Sequence, residues 1–298
     1  EPPFMTFLAY LVFLIFRKPF IFILYDLYPD ILVSTKTLSV DSFLIKFWRF
    51  INQIVYEKSD NLIVLSEPMK SKILQTYKNL DEDKISIIYS WIDAKKIKPI
   101  PKKDNFFVNE NDLGNKFVVL YSGNFGRCHD VETIQECVNN LKNNNDILFL
   151  FIGSGPRLPS LKKYCKENNL FNVTFLPSQP LSVLPYSLAS GDLALVTQLG
   201  NTDGIIAPSK LYGHLATSTP IAGVSSSRSY LNKIICKNKF GKCFKNGDSK
   251  GLSEWIIYLK NNPSEKLKLG NNARTFLLET ATPEIITKRY LSIINKSI

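Results

Sequence analysis

Three loops in this chain gather side chains that bind anions or move protons. The richest spans residues 203–216 and contains Asp203, Gly204, Pro208, Ser209 and Lys210. Pro208 suits the start of a helix, which puts Ser209 and Lys210 in its first turn. Free amides, a hydroxyl and an ammonium would converge there on an anion. A lysine in a first turn opposes the helix dipole, so a bound anion explains it better than helix stability does. A second loop, residues 121–130 (YSGNFGRCHD), offers Gly123 and Gly126 for close backbone approach. Arg127 there can fork onto a phosphate, and His129 stands two positions later as a polar or proton-handling group. This glycine spacing is not a G-x-G-x-x-G fingerprint. The third loop, residues 153–157 (GSGPR), has the same strand-to-glycine form and also reads as a plain tight turn. Near the front, Asp26 in residues 25–30 (YDLYPD) is placed either to contact a hydroxyl-bearing substrate or act as a base, or to cap a turn before Pro29. His214 remains open between a structural and a functional role.

These loops need a scaffold, and the hydropathy supplies one. Short apolar runs at 20–25, 62–65, 85–89, 117–121, 147–152, 173–176, 193–196, 221–224 and 241–244 read as strands. Helical spacing fills the intervals, for example at 41–58, where Phe43, Leu44, Phe47, Phe50, Ile51, Ile54 and Val55 recur. Ser66 before Glu67 and Pro68 predicts a helix N-cap. Continuous apolar strands alternating with helices imply parallel sheets covered on both faces. The expected organisation is a partial Rossmann-like domain at 1–100, a polar linker at 101–115, a complete Rossmann-like domain at 116–280 and a closing helix at 281–298. Ligands in such sheets lie beyond the carboxyl ends of the strands, where the three loops fall.

Composition narrows the function classes. The chain has 298 residues, 45% hydrophobic and 21% charged, enough for packed cores and too few charges for disorder. Net charge is +11. Residues 1–100 hold 13 Lys/Arg against 11 Asp/Glu; residues 101–298 hold 24 against 15, so +9 of the excess lies in the second part. That suits a phosphate-bearing ligand or an anionic surface, as well as plain solvated faces. No basic helix interleaves aromatics with arginine, so nucleic acid is not expected. The five cysteines have no C-x-x-C spacing and only two histidines accompany them, which disfavours zinc and fits reduced, cytosolic thiols. Residues 4–16 are almost wholly apolar but too short to span a bilayer. They read as a core helix or as one that also dips into a membrane face.

Taken in order, DLYPDIL (26–32), NLIVLSEPMKSKI (61–73), IIYSWIDAKKIKP (87–99), YSGNFGRCHDVETI (121–134), FIGSGP (151–156), FLPSQPLSVLPYSLASGDLALV (175–196) and APSKLYGHLATSTPIAG (207–223) cover nearly the whole chain. Together they resemble the retaining family-4 glycosyltransferases of GT-B fold, closest to the colanic-acid and O-antigen subgroup of fucosamine-transferase type. The resemblance implies two Rossmann-like domains facing a cleft, the N-terminal one incomplete. It implies transfer of a sugar from a nucleotide-diphosphate donor, with retention, to a lipid-linked or other glycan acceptor in surface polysaccharide synthesis. By it, Gly123 and Asn124 lie near the donor phosphates, Arg127 and Lys210 neutralise them and Ser209 donates a hydrogen bond. Asp26 and His129 are the candidate catalytic residues. The broader family's glutamate pair is absent, with Gly213 at the second position, and Asp203 is the substitute for a donor-sugar contact. No metal or other cofactor is expected. The implied location is cytoplasmic, with peripheral contact at the inner membrane face. The start at Glu1-Pro2-Pro3 reads as an N-terminal truncation. Alternatives are a GT-B-like nucleotide-sugar epimerase and a non-catalytic nucleotide-binding or interaction module.

Overall fold

The computed structural model describes residues 5–297, so the expectation attached to Glu1, Pro2 and Pro3 lies outside the described residues. The chain divides into two compact units. The first comprises Glu1–Ser90, Asn201–Ala207 and Pro283–Ile298; the second comprises Trp91–Gly200 and Pro208–Thr282.

The first unit carries a parallel sheet of β1 (Ile21–Leu24), β2 (Asn61–Val64) and β3 (Ile85–Ile87), in that order. These runs lack polar alternation because both faces are covered. On one face Ile286, Tyr290 and Ile293 of helix Pro283–Ser297 pack with Ile21, Ile23, Ile63 and Ile88. Phe22 points the other way, and its ring lies 5.9 Å from that of Tyr56 in helix Phe43–Lys58. The Ser42 and Ser66 hydroxyls accept the amides of Ile45 and Met69, so both helices start where short polar caps allow. Arg49 is drawn inward to the buried Asp30, 2.6 Å away.

Two expectations about this unit are corrected. The apolar run forms helix Met5–Phe16, but it is no buried core helix, since Ile15 is 71% exposed and Phe16 63%. No helix among the described residues is long and apolar enough to cross a membrane. Segment Asn201–Ala207, assigned by its sequence position to the C-terminal domain, belongs to the first unit. Its backbone is the reason: Ile206 bridges Asp26 in antiparallel fashion, and the Leu27 amide donates to the Ile205 carbonyl at 3.0 Å.

The second unit is built on a six-stranded parallel sheet. Its strands are β4 (Phe117–Ser122), β5 (Ile147–Ile152), β6 (Val173–Leu176), β7 (Leu193–Thr197), β8 (Ile221–Val224) and β9 (Gly241–Phe244). The order is β6-β5-β4-β7-β8-β9, so chain direction across the sheet reverses between β4 and β7. Helices Glu132–Asn140 and Ser249–Asn261 bury Ile134, Val138, Leu252 and Ile256 against Val119, Tyr121 and Leu195 on one face.

Residues 101–115 are not a linker. Phe107, Val108 and Leu113 are buried with Val118, Leu120 and Leu150 on the sheet's other face. The lysines that made the stretch look solvated are partly tied down, Lys102 donating to Asp192 at 2.5 Å. Three buried apolar side chains among polar neighbours are enough to dock a short segment, and periodicity cannot register them.

Candidate functional site

β4 and β7 diverge at the sheet's reversal point, where a ligand crevice is expected in a parallel sheet. The loop after β4 and the loop after β5 run side by side there. The Gly123 amide donates to the Ile152 carbonyl at 2.9 Å and the Phe125 amide to the Ser154 carbonyl at 2.8 Å. The Arg157 amide returns a bond to the Phe125 carbonyl at 3.0 Å. Gly153, at φ +135°, is forced by this contact, because a Cβ there would sit 2.1 Å from the Gly123 carbonyl oxygen.

Lys210, the first residue of helix Lys210–Ala216, reaches back to this loop pair. Its Nζ donates to the Tyr121 hydroxyl at 2.5 Å and to the Asn124 carbonyl at 3.1 Å. It also lies 4.0 Å from the centre of the Tyr121 ring. Tyr121 Oη in turn donates to the Asn124 carbonyl at 3.1 Å. All these partners are neutral, and among the described residues Lys210 forms no ion pair with a carboxylate. Desolvation without a counter-ion pulls its pKa from the usual lysine value down to about 7.

His129 lies beside the same ammonium. Its Nδ1 meets the Thr197 carbonyl at 2.8 Å, so Nδ1 carries the proton and Nε2 is left as an acceptor. Burial, then the charge of Lys210, lowers its pKa to about 4, while the Thr197 bond opposes the shift. His129 is therefore a neutral hydrogen-bonding group near pH 7. His214, one turn after Lys210, is fully buried with no hydrogen-bond partner on either ring nitrogen among the described residues, and burial keeps it neutral too.

The sequence-derived candidates thus separate. Gly123, Asn124, His129 and Lys210 come together in the second unit, and a Cβ added at Gly123 would lie 3.8 Å from Lys210 Cε. Arg127 and Ser209 belong to the same loops, and both are solvent-exposed. In the turn that opens this helix, the Leu211 and Tyr212 amides bond back to the Pro208 and Ser209 carbonyls. Asp26 and Asp203 lie in the first unit. Sequence reading missed Tyr121, the platform for Lys210. Its signal was available, because an inward-facing aromatic near the end of a buried strand must place its hydroxyl at the loop. Sequence reading includes Arg157 in the loop at 153–157 without a role of its own; its charge is felt at His129 and it pairs with Glu132.

The unpaired Lys210 has a consequence for pH. Binding of an anion favours the charged form, whose population in the free protein falls as pH rises through about 7. Affinity for a nucleotide-sugar, which has no ionisation of its own near neutrality, should be highest below pH 7. Above it the affinity should weaken towards about tenfold per pH unit. Calorimetry between pH 6 and 9 measures this, and a flat profile would contradict the assignment.

A sheet of this order, with glycine loops and a desolvated cation at its reversal point, has the Rossmann-like form of one half of a GT-B fold. The family described as "Glycosyl transferases group 1" matches residues 102–276, and the chain belongs to it. Among curated relatives, the probable glycosyltransferase WbjE of Pseudomonas aeruginosa is 29% identical over 221 residues, covering 74% of this chain and 54% of that protein. The putative colanic acid biosynthesis glycosyl transferase WcaI of Escherichia coli K12 is 29% identical over 159 residues, covering 53% of this chain and 38% of that protein. The chain thus spans about half the length, or less, of these two relatives. Among solved structures, Anabaena HepE in complex with UDP-glucose superposes with a TM-score of 0.81 at 14% identity, over 99% of this chain and 77% of HepE. That likeness shows the fold.

Proposed function

We propose that this chain transfers a sugar, with retention, from a nucleoside-diphosphate donor to a lipid-linked glycan acceptor in surface polysaccharide assembly. The observation that carries the donor assignment is Lys210, a desolvated ammonium held by neutral oxygens with no carboxylate beside it. A diphosphate leaving group is the anion that would complete it, because charge accumulates on its oxygens as the glycosidic bond breaks. In this reading Lys210 meets the diphosphate, Gly123 lets the phosphates approach the backbone, and Asn124, Arg127 and Ser209 contribute polar contacts from exposed positions. His129 Nε2 accepts a hydrogen bond from a donor-sugar hydroxyl. Asp203 contacts the sugar, and Asp26 receives the acceptor's proton. Side-chain cations meet the phosphate charge, and no metal is assigned a part. The similarity to WcaI, a putative colanic acid biosynthesis glycosyl transferase, supports the polysaccharide theme. Contact with the cytoplasmic membrane face is supported by the exposed Phe43, Phe47 and Phe50 beside Lys46.

A thermal-shift screen against nucleoside diphosphates and their sugars tests the donor class. A ligand at about 100 times its Kd should stabilise the fold by about 2.7 kcal/mol. At least one nucleotide should raise the melting temperature. No shift with any of them would overturn the donor assignment and favour a non-catalytic interaction module.

A further inference from the structure

The two hydrogen bonds of Lys210 leave one direction at Nζ open. Its partners are Tyr121 Oη at 2.5 Å and the Asn124 carbonyl at 3.1 Å. Tyr121 Oη gives its own proton to that carbonyl, so toward the lysine both partners act only as acceptors. An ammonium has three N–H donors and a neutral amine has two. In the charged form one N–H is left over for an anion. In the neutral form the two partners take both N–H bonds, and the nitrogen lone pair occupies the direction of the third. The place that attracts an anion is therefore also the place a nucleophile faces. The Tyr121 ring, 4.0 Å from Nζ, covers one side. Another side is open, since Lys210 is partly exposed and Gly123 beside it carries no side chain.

Nothing around Nζ holds its proton on. No carboxylate pairs with it among the described residues. The titratable groups that face it are neutral near pH 7. Burial pushes the Tyr121 phenol up, and burial with the Lys210 charge pushes His129 and His214 down. Desolvation brings the lysine itself to about 7, so about half of it is neutral at that pH. A desolvated lysine amine in this state is an activated nucleophile.

We propose that Lys210 is an acylation site, where the amine takes the acyl group of a small acyl phosphate and the resulting amide blocks the nucleotide site. The blocking rests on the donor assignment above; the acylation does not. Nζ attacks the carbonyl carbon, an N–C bond forms, and the C–O bond to phosphate breaks. Orthophosphate leaves with the electron pair and the amine's proton, so no oxidant or further reactant is needed. An acyl phosphate fits because it joins the two features the site answers to. Its phosphate is drawn to the open direction at Nζ and to the exposed Arg127 of the same loop, and its carbonyl is then within reach of the lone pair. The product keeps one N–H and no charge, and it can no longer balance a diphosphate.

Acetyl phosphate is the probe. The full chain is incubated with it between pH 6 and 9, and acetylation at each lysine is read by peptide mass. An ordinary lysine is neutral to only about one part in 2500 at pH 7. That fraction favours Lys210 by about a thousandfold, and the weaker nucleophilicity of a less basic amine takes back part of it. At pH 7 Lys210 should therefore be acetylated at least about tenfold faster than exposed lysines such as Lys142 and Lys166. Its rate should level off above about pH 8, while theirs keep rising about tenfold per pH unit. Lys210→Ala, checked by its melting curve, should lack the fast phase in intact mass. Saturating UDP should slow the labelling of Lys210 alone. Fast labelling that UDP leaves unchanged would support the acylation site and remove Lys210 from the donor site. Labelling of Lys210 no faster than that of exposed lysines, or rising in parallel with theirs to pH 9, would overturn the proposal even if UDP binds.

Discussion

Lys210→Ala should bind nucleoside diphosphate at least about 100-fold more weakly than the wild type, a loss of about 2.7 kcal/mol. The size follows from the environment. A charge-assisted contact to phosphate in a desolvated site exceeds a neutral hydrogen bond, and Lys210 is the cation the structure holds at this point without a counter-ion. The fold should survive, because Tyr121 still donates to the Asn124 carbonyl after the ammonium is removed. Removing a desolvated, unpaired cation relieves a burial cost and creates none. Titration calorimetry on a variant with an unchanged melting temperature separates the two effects. Equal affinity in the two proteins would remove Lys210 from the site. Lys210→Arg should fall between them, since its planar fork cannot take the place of a compact ammonium against the Tyr121 ring.

Gly153→Ala should destabilise the second unit by about 4 kcal/mol, at the upper end of single-site effects. Two penalties add. Gly153 sits at φ +135°, where a side chain is strained, and the new Cβ would meet the Gly123 carbonyl oxygen at 2.1 Å. That oxygen is backbone and cannot rotate away, so the loop that faces Lys210 must itself move. For a unit of this size the melting temperature should drop by about 10 °C. Gly114→Ala is the control, because nothing lies within 4 Å of its Cβ and its φ is ordinary. If the two substitutions melted alike, the interlocking of the loops after β4 and β5 would be wrong.

These expectations rest on features of unequal legibility in the sequence. Runs such as 147–152 and 173–176 become β5 and β6 with those same bounds, because a strand covered on both faces must be apolar throughout. The loops after β4 and β5 were legible for the same reason, since glycine directly after a buried strand marks a close backbone approach. The partners of Lys210 were not. That Nζ meets Tyr121, 89 positions away, depends on strand order, which local periodicity does not encode. The placement of 201–207 in the first unit depends on backbone bonds to Asp26 and Leu27, which any side chain could make. Arg127 and Lys210 look equivalent as written cations. Packing tells them apart, covering one and leaving the other in solvent.

The central claim is that Lys210, with the loop that follows β4, receives the diphosphate of a sugar nucleotide. A structure of the chain with a bound nucleoside diphosphate tests it most directly. The predicted result is a phosphate oxygen within about 3 Å of Lys210 Nζ, a charge-assisted hydrogen-bond distance, with the Gly123 backbone alongside. A nucleotide bound with its phosphates elsewhere, and Lys210 Nζ still held only by Tyr121 and Asn124, would contradict it.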